Sequence, residues 1–152
     1  MLKRMLSPKH RKDSNKPTLE NLSLAFAAAL PESLNWQWDS RFETVLLHID
    51  SLQQEKVIQV LENYFSDYWN ILCEEELPEN VQELIVHFDG FNPEQLLFST
   101  DTRQSDFVYC AWWPWKDGKN ISIRIAPYLG NMPAAEKAKK IGQIKKWFGI
   151  KN

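Results

Sequence analysis

Apolar residues change period several times along this chain, and each change marks an expected element. In "LENLSLAFAAAL", Leu19, Leu22, Phe26 and Ala29 recur at helical spacing. Thr18 stands where a side-chain oxygen caps the free amides of a first turn, and Pro31 stops the run. "LNWQWD" then alternates Leu34, Trp36 and Trp38 with Asn35, Gln37 and Asp39, the period of a strand with one apolar face. "FETVLLHID" follows as a second strand, rich in residues that suit a half-buried pleat. Ser51 and Gln54 have the spacing of a capping box. The helix they open places Leu52, Val57, Val60, Leu61, Tyr64, Phe65 and Tyr68 largely on one side, with Trp69 in its last turn.

Beyond the charged connector "EEELPEN", the segment "VQELIVHFD" reads as a strand. "NPEQLLF" has two readings, which the sequence leaves open. One is a short helix with Asn92 as cap and Pro93 in its first turn; the other is a hairpin arm within "QLLFSTDTRQSDFVYC". "SDFVYCAWW" and "NISIRIA" are strands, and a basic helix closes the chain from about Ala134 to Phe148. The expected class is α+β: a mainly antiparallel sheet of about four to six strands, covered by N-terminal, central and C-terminal helices.

The turn in "YCAWWPWKDGKN" decides which tryptophan points into the core. A two-residue Asp117-Gly118 turn sets Pro114 opposite Ile121 at a hydrogen-bonded pair, where its missing N–H is a liability. A three-residue loop, Lys116-Asp117-Gly118, removes that conflict and sets Trp113, Ala111 and Tyr109 against Ile121, Ile123 and Ile125. A four-residue loop also tolerates the proline but joins the isoleucines to Trp112. The three-residue loop gathers the most apolar area on one face and is the expected register. It makes Trp113 core and puts Trp115 at its rim. Trp112 is left on the other face with Ser122 and, diagonally, Arg124. An outward Trp beside an Arg has the makings of a binding hot spot. Trp112, Arg124 and Trp115 are therefore the candidate partner-binding residues, with burial of Trp112 under a terminal helix as the structural alternative.

Length and composition narrow the picture. The chain of 152 residues has the size of one domain, and its aromatic content of 12% is high, with seven Trp and eight Phe. Residues 1–17 carry six Lys/Arg and one acid in a Pro/Ser/Lys-rich stretch that reads as a disordered basic tail. Residues 18–152 then form a single α+β domain. Charge is segregated: residues 18–132 hold 18 of the 20 acidic residues and 6 of the 18 basic ones, a balance of −12. No apolar run approaches the roughly 18 residues of a membrane span. "LSLAFAAAL" follows too long and too acidic a leader for a signal peptide. Cys73 and Cys110 lie among apolar residues and read as buried free thiols, hence a reducing, cytoplasmic compartment.

Candidate chemistry is sparse. "FETVLLHIDSLQQEKVI" and "VQELIVHFDGFNPEQLL" align without gaps at an offset of 39, matching His48 with His87 and Asp50 with Asp89. On neighbouring strands these two His-x-Asp pairs would converge as a divalent-metal site or an acid/base pair. Asp50 and Asp89 are also ordinary strand-end turn residues. There is no GxGxxG, P-loop, CxxC, HExxH or GxSxG pattern, and no cofactor is expected. The leading expectation is a protein-binding accessory module, chaperone-like or immunity-like, rather than an enzyme. A metal-dependent enzyme on His48, Asp50, His87 and Asp89 is the alternative, followed by membrane or nucleic-acid binding through the basic ends. In the closing helix Ala134, Ala138, Ile141, Ile144 and Phe148 share one side. That stripe is expected to pack on the sheet rather than on lipid, burying Ile141 and Ile144.

Overall fold

A computed structural model describes residues 18–151 other than 33, 71 and 73–76. The basic tail and Cys73 lie outside the described residues. Thr18 accepts a hydrogen bond from the Asn21 amide at 3.1 Å and opens helix α1, Leu19–Ala29. Strands β1, Gln37–Asp39, and β2, Thr44–Asp50, form a hairpin. Helix α2 spans Gln54–Tyr64, and the short strand β3, Asp67–Trp69, follows it. Helix α3, Glu79–His87, precedes β4, Leu96–Ser99. Strands β5, Val108–Pro114, and β6, Asn120–Pro127, form the long hairpin, and helix α4, Ala134–Trp147, is the last element described. The six strands are ordered β1-β2-β6-β5-β4-β3 with every neighbouring pair antiparallel, so the fold is α+β.

Strand alternation divides the sheet into two faces. Val45, Leu47, Ile121, Ile123, Ile125, Cys110, Trp112 and Phe98 lie on one, all buried. Helices α1, α2 and α4 cover this face. Phe65 at the end of α2 meets Phe98, the Ser23 hydroxyl of α1 donates to the Trp147 carbonyl of α4 at 2.8 Å, and Trp36 wedges edge-on between Phe26 and Phe148. The other face carries Tyr109, Ala111, Trp113, Ser122 and Arg124. Helix α3 covers only part of it, with Phe88 set edge-on to both Tyr109 and Trp113.

Four local expectations are corrected. "VQELIVHFD" is a helix: Val81, Leu84 and Phe88 turn inward while Val86 stands 75% exposed, the pattern of period 3.6 rather than 2. The apparent repeat therefore pairs a strand with a helix. The second helix stops at Tyr64, and residues 67–69, expected within it, form an edge strand because Tyr68 and Trp69 find partners on β4. The expected capping box at Ser51 and Gln54 is replaced: the helix's N-cap, Gln53, makes no side-chain cap bond, and the reciprocal bonds close the turn ahead of the helix instead. The Asp50 carboxylate accepts from the Leu52 and Gln53 amides, and the Gln53 side chain accepts from the Asp50 amide.

The fourth correction is the hairpin register. Trp115 N–H donates to the Asn120 carbonyl at 2.8 Å and closes a four-residue loop, Lys116–Lys119. The adjacent Pro114–Ile121 pair needs no proline N–H, so the objection to that pairing disappears. Asp117 accepts from the Lys119 and Asn120 amides, and Gly118 supplies a φ of 70°. The hairpin reading of "QLLFSTDTRQSDFVYC" holds, since β4 pairs with β5; the Asn92 and Gln95 side chains build the preceding turn.

Candidate functional site

The register places the three tryptophans. Trp112 pairs with Ile123, packs on Phe98 and is 2% exposed, so it is part of the core. Trp113 lies on the opposite face beside Ser122. Arg124 sits over its ring at 4.3 Å and over Phe42 at 5.4 Å. Its Nε donates to the Asp39 carboxylate at 2.8 Å, with both side chains largely buried. Arg124 is thus a staple between β6 and the end of β1, not an open hot spot. Asp39 also accepts from the Arg41 and Phe42 amides, fixing the turn between β1 and β2.

Trp115 is the candidate that reaches solvent, at 45% exposure. Its indole N–H donates to the Ser122 hydroxyl at 2.8 Å, and that hydroxyl lies 3.1 Å from His48 Nδ1. The His48 and Trp115 rings meet edge-on at 5.4 Å. Leu52, 88% exposed, belongs to the turn after β2 at this same end of the sheet.

The two His-x-Asp pairs do not converge. His48 lies on β2, whereas His87 ends α3 with Nε2 2.9 Å from the Phe42 carbonyl. Asp50 caps a turn and Asp89 pairs with Arg41. Among the described residues no cluster of three or more His, Cys, Asp or Glu is arranged to hold a metal ion. The second pair's helical backbone removes the neighbouring-strand geometry that such a site required.

A cavity of about 180 Å³ opens at the far end of the β5–β6 hairpin, between α3 and the approach to α4. Glu43, Glu83, His87, Tyr109, Tyr128 and Lys137 contribute to its wall. Glu43 adopts a φ of 59°, uncommon for a residue with a side chain, at the end of the turn that Asp39 organises. Tyr128 stacks on Phe107 and donates to the Glu83 carboxylate at 2.5 Å. Burial, then the hydrogen bond and charge of Glu83, push the Tyr128 phenol up to about 12. Gly130, at φ 50°, lies so close to that ring that a Cβ would meet Cε2 at 2.9 Å. Tyr109 is 3% exposed, and burial followed by the negative charge of Glu43 pushes its phenol well above the usual range. No described residue hydrogen-bonds its hydroxyl.

Sequence reasoning missed this cavity because its walls come from five separate stretches of chain. The only signal was composition, two tyrosines and several carboxylates in an acidic body. Among the described residues no helix is long and apolar enough to cross a membrane. No protein-family model, curated protein or solved structure matches the chain.

Proposed function

We propose that the chain is a protein-binding accessory module, chaperone-like or immunity-like in character, that engages a basic partner. Trp115 is the observation that carries this reading. A tryptophan is among the side chains that contribute most when buried at an interface. This one is exposed yet already held by the Ser122 hydroxyl, so docking against it loses little further rotamer freedom. His48 and Leu52 extend the exposed surface around it. Residues 18–152, with 12 basic and 19 acidic residues, balance to −7, which favours encounter with a positively charged protein and speeds it at low salt. The reading includes a reducing, cytoplasmic setting, consistent with Cys110 as a buried free thiol.

The test compares tagged wild-type and Trp115→Ala proteins in affinity purification from the native cell. Expected is a basic protein recovered with the wild type and lost with the variant, while both melt at the same temperature. Recovery of the same proteins by both refutes the role of Trp115. An acidic or nucleic-acid partner refutes the charge reasoning.

A further inference from the structure

We propose that the cavity between α3 and the start of α4 receives one arginine side chain of the basic partner. The inference rests on the protein-binding reading for the source of the arginine, but it concerns a separate part of the same sheet face. Trp115 lies at the tip of the β5–β6 hairpin and Tyr109 near its open end, six residues apart along an extended strand, or roughly 20 Å.

Size is the first constraint. A volume of about 180 Å³ falls below the roughly 300 Å³ at which small-molecule and cofactor pockets begin, and suits a single inserted side chain. Charge is the second. Glu43 and Glu83 line the cavity and Glu79 acts on Tyr128 from nearby, against Lys137 as the one lysine or arginine in the wall among the described residues. The third is Tyr109, which lines the cavity on a side chain that is otherwise buried, and whose hydroxyl has no described hydrogen-bond partner. Such a hydroxyl is free to bond an incoming group.

These acceptors differ in kind and position: a carboxylate on the β1–β2 turn, a carboxylate on α3 and a phenol on β5. A guanidinium presents five N–H donors in a rigid fork and serves several acceptors at once, whereas an ammonium is a compact point charge. Tyr128, half-buried in the wall, supplies aromatic surface of the kind on which guanidinium planes stack. Glu83 already accepts from Tyr128 through Oε1, so one oxygen is spoken for and the other remains to meet a donor. Lys137 makes no ion pair within 4.0 Å among the described residues. Its charge opposes an entering cation.

The probe is Nα-acetyl-arginine amide, titrated into the full chain and followed by NMR shifts of the Gly130, His87 and Tyr109 amides. Expected is saturable binding with a dissociation constant on the order of 1 mM, an affinity fitting one side chain without its protein. Glu43→Gln and Glu83→Gln should each weaken it about tenfold, the effect of losing one charge-assisted hydrogen bond. Tyr109→Phe should weaken it without lowering thermal stability, and Lys137→Met should tighten it. The acetylated lysine amide should bind more weakly than the arginine form. Equal binding of the norleucine amide, or tighter binding of acetate than of the arginine probe, would overturn the proposal. So would no shift at any of the three amides, or weaker binding by Lys137→Met. Trp115→Ala should leave this titration unchanged. If the arginine probe fails while Trp115→Ala still abolishes partner recovery, the cavity inference alone is lost.

Discussion

Replacing Arg124 by Met separates a structural staple from a partner-binding residue. Met keeps the length and apolar stem of the side chain but removes the cation. Asp39 is then left with its carboxylate at 13% side-chain exposure, still holding the Arg41 and Phe42 amides at 3.0 and 3.3 Å but without a counter-charge. Breaking one side of a buried ion pair costs about 3–5 kcal/mol, and the residual exposure here argues for the lower end. Losing the guanidinium over Trp113 adds about 1 kcal/mol. Removing Arg124 Nη1, a buried donor with no hydrogen-bond partner, offsets about as much. The net expectation is about 3 kcal/mol, a fall in melting temperature of roughly 10 °C for a domain of this size. Urea unfolding followed by tryptophan fluorescence measures it. Asp39→Asn keeps the oxygen that holds the turn, so it should cost less. The double variant should be less destabilised than the sum of the two by about 2 kcal/mol, because they share one interaction. An Arg124→Met protein within about 1 kcal/mol of wild type that no longer binds its partner would refute the staple and restore Arg124 as a surface contact.

Three further outcomes follow from the geometry. Ile144, 1% exposed, is the α4 residue most deeply set in the core, so Ile144→Asp should destabilise by about 4 kcal/mol or more in thermal or urea melts; a wild-type melt would show the helix to be peripheral. Gly130→Ala forces a side chain into left-handed backbone against a Tyr128 ring held by Phe107 and Glu83, and should cost about 1–3 kcal/mol by the same assay. Tyr128 ionises near 12 in the folded chain against about 10 unfolded, so the unfolded state gives up its proton first. The resulting stability is fully present below pH 10 and is lost as pH rises towards 12. Phenolate absorbance should track that loss, and Tyr128→Phe should flatten it.

The elements with one strong periodicity were legible in sequence. Thr18 with Leu19, Leu22 and Phe26 specified the first helix down to its cap. Val57, Val60, Leu61 and Tyr64 specified the second, and the alternating isoleucines of "NISIRIA" specified the central strand. Ile144 is buried, as the apolar stripe of the closing helix predicts; Ile141 is only half-buried, because α4 turns it towards the margin of the packed face. These features depend on neighbours within a few positions, which is the range over which sequence spacing carries information.

Tertiary structure decided what local pattern left degenerate. "ELIVHF" carries so many apolar residues in a row that period 2 and period 3.6 fit it equally. Packing of Phe88 on Tyr109 and Trp113 selects the helix, and with it dissolves the paired His-x-Asp site. Trp112 and Trp113 are adjacent and equally apolar, so a shift of one residue in the hairpin exchanges their faces. The shift is set by Asp117 gathering two loop amides and by Asp39 drawing Arg124 to the opposite side, contacts that span 2–3 and 85 positions. Trp115 shows the same division at a single residue: its place in the chain made it a rim candidate, but only the fold supplied the Ser122 hydroxyl that holds it still. The cavity lies furthest from sequence. Its carboxylates and phenols stand on a turn, a helix and a strand, and nothing in their spacing along the chain foretells that they share one space.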